Sequence, residues 1–299
     1  MKHGTCSRPR RILKFSIITP SYNQGRFIER TVQSVLGQSL PPDEYVIFDG
    51  GSKDETLDVL KKYDDRLRWV SESDRGQTDA VNKGIRATTG DVIGWLNSDD
   101  VYWPDALKRV MEFFGANPDV DVVYGDAFHI REDDSIIEAY PTENWDFERL
   151  KQTCFICQPA AFFRRSVVER FGMLDEALNY CMDYEYWLRL ASRGARFSRL
   201  QQPLAGSRFY AETKTLGARK EVHAEINGMM RDLFGRVPDR WLFNYGHAVV
   251  EQSTVNQVAH PRFFPLLVAA VSILAALRWN HSISRDMIST LVKWMNVKP

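Results

Sequence analysis

An excess of charge of either sign is missing from this sequence. Its 299 residues include 39 lysines and arginines and 39 aspartates and glutamates, so the formal net charge is zero. Nucleic-acid-binding proteins usually show a basic excess or a basic stripe, and the balance therefore argues against a nucleic-acid partner. Apolar residues are not scarce: 44% of the chain is hydrophobic and 12% is aromatic, which suffices for a packed core and excludes a disordered chain.

Cysteine is scarce, and the four that occur are Cys6, Cys154, Cys157 and Cys181. The basic start "MKHGTCSRPRRILKF" lacks the apolar stretch of a secretory signal, so we expect a reducing, cytoplasmic setting rather than a disulfide framework. Cys154 and Cys157 have the spacing of a zinc knuckle, but no second Cys or His pair lies nearby at metal-binding spacing. Ordinary buried thiols are the favoured interpretation, with zinc the alternative.

Long apolar runs are also lacking. The longest, "FFPLLVAAVSILAAL" (263–277), has 15 residues, whereas a full membrane span needs roughly 18–20. Basic and tryptophan residues such as Arg278 and Trp279 flank this run. The pattern favours a helix packed inside the fold or in an oligomer, or one lying on a membrane surface, over a spanning helix.

Two common nucleotide-binding motifs do not occur in the chain. Neither G-x-G-x-x-G nor G-x-x-x-x-G-K-[ST] is found, which argues against hydride transfer and against P-loop phosphate chemistry. No internal repeat or low-complexity tract is visible either.

Short apolar runs alternate with amphipathic segments along the first part of the chain. Strands are predicted at 14–19, 44–52, 66–72 and 91–100, with helices at 25–37, 53–63 and up to 87, then further strands at 119–128 and 158–165 and a helix at 182–194. Beyond about residue 215 the sequence pattern predicts helices. This alternation predicts an α/β fold with a mostly parallel sheet flanked by helices and a helical C-terminal extension.

Polar residues follow each of the first four predicted strands. Because the carboxyl ends of parallel strands meet at one edge of a sheet, these groups should converge there. They are Thr19-Pro20-Ser21, Asp49-Gly50, Ser73-Asp74 and Asn97-Ser98-Asp99-Asp100. A single acidic residue after a strand is more often a turn or helix cap. Two adjacent carboxylates, Asp99 and Asp100, can however hold a hard divalent cation that shares its remaining sites with phosphate and water.

Four segments together resemble the inverting family 2 glycosyltransferases of the GT-A fold. They read "SIITPSYNQGRFIERTVQSVLGQS", "EYVIFDGGSKDET", "SESDRGQTDAVNKGIRATTGDVIGWLNSDD" and "MDYEYWLRLA". The resemblance runs from about Lys14 to about Thr215. It divides the chain into a tail (1–13), a GT-A catalytic domain (14–215) and a helical extension (216–299) that could touch a membrane. It implies a nucleoside-diphosphate sugar as donor and transfer with inversion.

The resemblance also implies roles for individual residues. It places the donor nucleotide and its metal, Mn²⁺ or Mg²⁺, on residues at the strand ends, and it makes Asp183 the general base. The implied nucleotide contacts are Thr19, Pro20, Ser21, Tyr22, Asp49, Gly50, Asp74, Arg75, Asn97, Ser98 and Arg208, and the implied metal ligands are Asp99 and Asp100.

Three positions depart from the family's pattern. Asn97 stands where the first Asp of D-x-D is usual, and Met182 precedes Asp183 where Glu is usual. In the segment "GSRFYAETKT" (206–215), Arg208 is present but Tyr210 replaces the usual His. Metal binding is therefore expected to depend mainly on Asp99. The 206–215 segment therefore lacks the His that would support the metal.

The acceptor should contact the second half of the chain, where candidates are Asp126, Tyr184, Glu185 and Trp187. For Trp187 a core position is the competing interpretation, and Asp126 could equally close a turn. The expected acceptor is a saccharide or a lipid-linked saccharide in polysaccharide or glycolipid synthesis, handled in the cytoplasm or on the inner face of the membrane. Two alternatives are a nucleotidyltransferase and a catalytically degenerate protein that only binds sugar nucleotides.

Overall fold

The computed structural model describes residues 13–210, 213, 217–253, 260–261 and 263–296. Its contacts divide the chain into two compact units. Unit 1 comprises Met1–Trp145, Phe155–Glu176 and Leu190–Phe209, and unit 2 comprises Asp146–Cys154, Ala177–Arg189 and Tyr210–Pro299. The predicted tail at 1–13 and the predicted boundary between residues 215 and 216 fall almost wholly outside the described residues, and they stay predictions.

Four parallel strands form one half of the sheet in unit 1. They are β1 (Phe15–Ser21), β2 (Glu44–Asp49), β3 (Arg68–Ser71) and β4 (Val92–Trp95), and they lie in the order β3-β2-β1-β4. All residues of β1 and β4 are buried, which is typical of a parallel strand covered on both faces. Helices connect these strands: α1 (Gly25–Leu36), α2 (Thr56–Lys61) and α3 (Gln77–Ala87).

The other half of unit 1 is largely antiparallel. Its strands are β5 (Val101–Tyr102), β6 (Val122–Ile130), β7 (Ile136–Ala139), β8 (Ala161–Arg164) and β9 (Phe197–Arg208), and its helices are α4 (Ala106–Ala116) and α6 (Arg165–Phe171), where α5 lies in unit 2. Strands β6 and β9 pair in parallel, whereas the β4–β8, β6–β8, β5–β9 and β6–β7 pairs are antiparallel. The expected α/β fold is confirmed, with a mixed sheet whose strands β1–β4 are all parallel.

Unit 2 is helical, as the sequence predicts for the region beyond about residue 215. It holds α5 (Phe147–Gln152), most of α7 (Met182–Ser192), α8 (Arg219–Phe234), α9 (Asp239–Glu251), α10 (Phe263–Asn280) and α11 (Arg285–Asn296). Asp146 caps α5 by accepting the Arg149 N–H at 2.9 Å. Gly235 ends α8 at φ 70°, a left-handed backbone that favours glycine.

Helix α10 contains the apolar run that the sequence singled out. Its buried face includes Phe264 and Val268, which pack with Val250 of α9. It is the one helix among the described residues that is long and apolar enough to cross a membrane, and 33% of that segment is buried. Length and composition are a weak criterion, because a core helix of a soluble protein also passes it.

Candidate active site

The sheet register brings the ends of the first three strands to one level in unit 1. Ser21 of β1 pairs with Asp49 of β2, and Asp49 pairs in turn with Ser71 of β3. The Gly50 N–H donates to the Ser21 carbonyl at 2.8 Å and so extends this pairing into the loop. The convergence of polar groups that the strand pattern predicts is therefore present at this edge.

At the end of β1, Ser21 and Tyr22 face a different environment from Thr19 and Pro20. Thr19 is fully buried and its hydroxyl lies 3.3 Å from that of Tyr45, and Pro20 is buried within the strand. The Ser21 hydroxyl is buried without a hydrogen-bond partner, whereas the Tyr22 side chain is 60% exposed. Of these four predicted nucleotide contacts, Tyr22 is the one with an exposed side chain, and the buried Ser21 hydroxyl has a hydrogen-bonding capacity that no protein group uses.

Asp49 organises the loop after β2. Its carboxylate is 1% exposed and accepts the backbone N–H groups of Gly51 (3.0 Å) and Ser52 (2.9 Å), together with the hydroxyls of Ser52 and of Ser71 (2.6 Å). Four accepted bonds approach the capacity of a carboxylate. Asp49 therefore fixes the conformation of the loop after β2, and its side chain has almost no exposed surface for a ligand.

Asp74 approaches the same loop from the end of β3. A Cβ atom at Gly50 would lie 2.9 Å from Asp74 Oδ2, so the Asp74 carboxylate packs directly against this glycine and would have to shift to admit a side chain. Asp74 also accepts the Gly76 N–H at 2.9 Å. The neighbouring Arg75 is 72% exposed and forms ion pairs with Asp79 (3.1 Å) and Glu176.

The amide of Asn97 joins four polar groups after β4. Its oxygen accepts from Gln77 Nε2 at 2.7 Å and Trp95 Nε1 at 2.9 Å. Its nitrogen donates to Asp100 Oδ2 at 3.2 Å and Gln158 Oε1 at 2.9 Å. A carboxylate at position 97 would face two acceptors, which gives the Asn in place of Asp a physical reason.

The two adjacent carboxylates differ in environment. Asp100 is 3% exposed, accepts the Arg208 N–H at 2.8 Å, and points inward. Burial, reinforced by the charge of Asp99, raises the pKa of Asp100 above its usual range. Asp99 is half-buried, and Ser98 between them is buried, its carbonyl accepting the Thr31 hydroxyl at 2.9 Å. Of the two predicted metal ligands, Asp99 is the one with accessible surface.

The nucleotide contact implied for Arg208 is corrected by the structure, because the guanidinium of this residue is completely buried. It pairs with Asp134 at 2.5 Å and also donates to three backbone carbonyls. These belong to Asp99 (2.7 Å), Arg131 (2.7 Å) and Glu132 (3.0 Å). The side chain therefore ties the loop after β4 to the β6–β7 connection, and it does not reach out to a diphosphate.

Asp183 lies in the first turn of α7, in unit 2. Burial raises the pKa of Asp183 to about 6, although hydrogen bonds from the backbone N–H groups of Tyr184 and of Asp183 itself act in the opposite direction. A carboxylate with this pKa is ionised at neutral pH and still accepts a proton readily. These are the properties that a general base needs.

Three of the four predicted acceptor residues are buried, and for Trp187 this is the core position that the sequence also offered. The Tyr184 hydroxyl donates to the Leu150 carbonyl at 2.5 Å, and Glu185 pairs with Arg189 at 2.6 Å. Trp187 is only 1% exposed, so its ring offers no face to a sugar. Asp126, in unit 1, stays partly exposed and pairs with Arg199 at 2.7 Å.

Sequence reasoning missed several residues that complete these loops. Ser71 and Gln77 bond directly to predicted site residues, and Gln158, at the start of a predicted strand, bonds to Asn97. Ser71 lies across the sheet from Asp49, and Gln158 lies 61 positions from Asn97 along the chain. The one signal for Gln77 was its place at the start of a predicted helix, next to Asp74 and Arg75.

Solved structures share this fold. Staphylococcus aureus TarS 1-349, crystallised in complex with UDP-GlcNAc, superposes with a TM-score of 0.61 at 16% identity, covering 88% of this chain and 81% of that one. Against a longer TarS chain, this chain spans 55% of its length. The mannosyltransferase PcManGT from Pyrobaculum calidifontis, in complex with GDP-Man and Mn²⁺, gives a TM-score of 0.55 at 18% identity, covering 97% of this chain and 80% of that one.

Sequence relatives carry transferase names. A PGL/p-HBAD biosynthesis glycosyltransferase of Mycobacterium tuberculosis is 31% identical over 202 residues, which cover 64% of this chain and 75% of the relative. The chondroitin synthase of Escherichia coli is 30% identical over 226 residues, covering 73% of this chain and 32% of that protein. Residues 16–172, more than half of the chain, match the family described as glycosyl transferase family 2. The chain therefore belongs to glycosyl transferase family 2 and is a glycosyltransferase of the GT-A fold.

Proposed function

We propose that this protein is an inverting, metal-dependent glycosyltransferase that moves a sugar from a nucleoside-diphosphate sugar to an acceptor hydroxyl. The observation that carries the proposal is the meeting of Ser21, Gly50 and Asp74 at one edge of the sheet in a family 2 chain. Ligands of open α/β sheets gather at the carboxyl ends of the strands, where these residues lie.

The donor's nucleoside fits the loop after β1. The partnerless Ser21 hydroxyl offers a hydrogen bond to a base or a ribose, and the exposed Tyr22 ring offers a stacking surface. Asp74 adds a carboxylate beside them, held by the Gly76 N–H. Two structural neighbours were solved in complex with UDP-GlcNAc and with GDP-Man, which supports a nucleotide sugar as the ligand class.

A divalent cation fits Asp99 better than it fits Asp100. The described residues contain no cluster of three His, Cys, Asp or Glu side chains suited to a metal. Mg²⁺ and Mn²⁺ nevertheless commonly take one or two protein carboxylates, with substrate phosphates and waters completing the shell. Asp99 would hold such an ion, which when bound neutralises charge on the diphosphate.

Asp183 is the proposed general base. Its carboxylate takes the proton of the acceptor hydroxyl as that oxygen bonds to the anomeric carbon. The bond from this carbon to the diphosphate oxygen breaks on the opposite face, and its electron pair leaves with the nucleoside diphosphate. Base assistance of this kind contributes about 10²–10⁴-fold, and the burial-raised pKa of Asp183, about 6, suits it.

The acceptor class is proposed to be a saccharide or a lipid-linked saccharide, on the cytoplasmic face of a membrane. Helix α10 exposes an apolar stripe at helical spacing, made of Phe263, Leu266, Leu267, Leu274 and Leu277. Arg278 and Trp279 follow at its end, a combination that suits the charged headgroups of a lipid surface. The name of the mycobacterial relative supports a glycolipid or polysaccharide pathway.

The membrane contact has its own test. Replacing Leu266 and Leu274 together by Gln should abolish co-sedimentation with anionic vesicles and leave transfer to a soluble acceptor unchanged. Co-sedimentation that survives the double substitution would overturn the lipid assignment. If the wild type is a dimer and the double variant is a monomer that binds vesicles as well as the wild type, the apolar stripe is an interface between copies of the chain and the lipid assignment is also overturned.

The function is tested by paired substitutions and product analysis. Asp183→Asn should keep donor affinity and lose transfer, whereas Asp99→Ala should lose the Mn²⁺-dependent part of that affinity in calorimetry. The product should be a nucleoside diphosphate. Release of pyrophosphate would instead indicate a nucleotidyltransferase, and an absence of both transfer and slow donor hydrolysis would indicate a protein that only binds.

A further inference from the structure

Three consecutive backbone N–H groups in unit 2 converge on the carboxylate of Glu225, a residue of α8. Asn179 donates to Oε2 at 2.8 Å, and Tyr180 and Cys181 donate to Oε1 at 2.7 and 2.8 Å. One side chain thus accepts the hydrogen bonds of a whole tripeptide. Three hydrogen bonds to one carboxylate hold the path of this segment, which is exposed at Asn179 and buried at Cys181.

The tripeptide leads directly into α7. The Cys181 carbonyl accepts the Glu185 N–H at 2.9 Å, which is the first hydrogen bond of the helix. Asp183 lies two residues after Cys181, within the first turn. The position of the proposed base is therefore set by the backbone that Glu225 holds. A negative group at this end of a helix is also favoured by the helix dipole.

We infer that Glu225 is a positioning residue for Asp183, supplied by a helix well beyond the part of the chain that matches family 2. This inference rests on the proposed function, in which Asp183 takes the proton of the acceptor. Glu225 touches neither reactant and acts through the backbone of residues 179–181. Residues of the C-terminal helices are then part of the catalytic apparatus.

The expected size of the effect follows from the geometry of the reaction. A misplacement of about 1 Å at a catalytic group can cost on the order of 10²-fold in rate. Glu225→Ala removes all three acceptor contacts, so we expect kcat to fall about 10- to 100-fold. The donor KM should stay within about twofold, because the loops of β1–β3 that bind the nucleotide are untouched. Glu225→Gln retains an acceptor oxygen and should have an intermediate kcat.

A matched control is available at another carboxylate that contacts α8. Glu251 of α9 forms an ion pair with Arg219 of α8 and is partly exposed. Glu251→Gln removes a carboxylate contact of α8 without touching residues 179–181, so its kcat should equal that of the wild type. A comparable loss in Glu251→Gln and Glu225→Gln would show that general weakening of the helices is responsible, and it would overturn the inference.

Two further measurements separate this inference from the assignment of the base. Amide hydrogen exchange at residues 179–181 should accelerate in both Glu225 variants. In an Asp183→Asn background, Glu225→Ala should cause no further loss of the residual transfer rate. If Asp183→Asn is inactive while Glu225→Gln shows faster exchange at a wild-type kcat, positioning by Glu225 is refuted and the base stands. If Asp183→Asn keeps its activity, the base assignment itself fails. Should Glu225→Ala not fold, Glu225→Gln supplies the same comparison.

Discussion

Replacing Arg208 by Met tests whether this side chain stabilises the fold or binds the donor. The substitution keeps most of the aliphatic stem and removes the guanidinium. It deletes the ion pair with Asp134 and leaves three backbone carbonyls without their donor. The carbonyl of Asp99 is one of them, so the loop that carries the proposed metal ligand loses a support.

The cost can be worked out from these contacts. Removing one partner of a buried ionic network typically destabilises a protein by about 3–5 kcal/mol. Because Asp134 is 38% exposed, water screens the charge that it would leave unpaired. Most of the lost free energy of unfolding therefore comes from the three carbonyls without a donor. At about 2–4 °C per kcal/mol for a domain of this size, the Tm should fall by roughly 6–20 °C.

The assay compares thermal unfolding with donor affinity for two arginines. Arg208→Met should lower the Tm and leave the metal-independent nucleotide affinity, measured by calorimetry without Mn²⁺ and well below that Tm, within about twofold. Arg75→Met is the matched control, because Arg75 is 72% exposed and its ion pairs are worth little to stability. As a predicted nucleotide contact, it should instead weaken donor affinity at a nearly constant Tm. An Arg208→Met protein with an unchanged Tm and a lost affinity would refute the reasoning.

Three further predictions concern the base and the nucleotide loops. Because the pKa of Asp183 is raised to about 6, its active, ionised fraction should fall about tenfold from pH 7 to pH 5; initial rates of nucleoside diphosphate release should follow it, and a pH-independent rate would contradict the base. Asn97→Asp should destabilise the fold by about 2–4 kcal/mol, because its carboxylate would face acceptor oxygens of Asp100 and Gln158. Denaturant unfolding should show that this loss of stability shrinks as the pH falls, because the new carboxylate then binds a proton. A loss that grows on acidification would contradict the reasoning. Ser21→Ala should weaken donor affinity about three- to tenfold, the value of one hydrogen bond, at an unchanged or slightly higher Tm, since the hydroxyl is buried without a partner; unchanged calorimetric affinity would exclude Ser21 from the nucleotide site.

The strand ends were predictable from the sequence because their signal is local. An apolar run that stops at Ser21 or Asp49 marks both a buried strand and the edge at which it ends. Parallel pairing then brings these ends together without further information. The family resemblance supplied the same loops independently, and the match over residues 16–172 confirms it.

The direction of a side chain was not predictable in the same way. Asp99 and Asp100 are adjacent in sequence, yet one is half-buried and the other accepts the Arg208 N–H in the interior. The family resemblance implied a nucleotide contact for Arg208, and Trp187 was an acceptor candidate with a core position as the competing interpretation. Packing against distant segments, which no local pattern encodes, buries both of them.

Strand β9 was missed for a related reason. Its sequence, "FSRLQQPLAGSR", contains glutamine, proline and glycine, which are poor strand formers. The strand exists because it pairs with β6 over most of its length, with register irregularities near Asp126. Pairing in three dimensions here outweighs the local preference of the sequence.

The hydrogen bonds of Asn97 have a consequence for how this site can change in evolution. Its amide donates to the Asp100 carboxylate, so one position supplies the amide and the other the acid. Exchanging both, Asn97→Asp with Asp100→Asn, would keep a donor facing an acceptor across that contact and would turn Asn-Ser-Asp-Asp into Asp-Ser-Asp-Asn. In the sequence found here the amide is at position 97 and the acid at position 100, and in the exchanged D-x-D form the acid is at 97 and the amide at 100. Relatives should exchange the two positions jointly, with a compensating change at Gln158, whose amide oxygen faces Asn97.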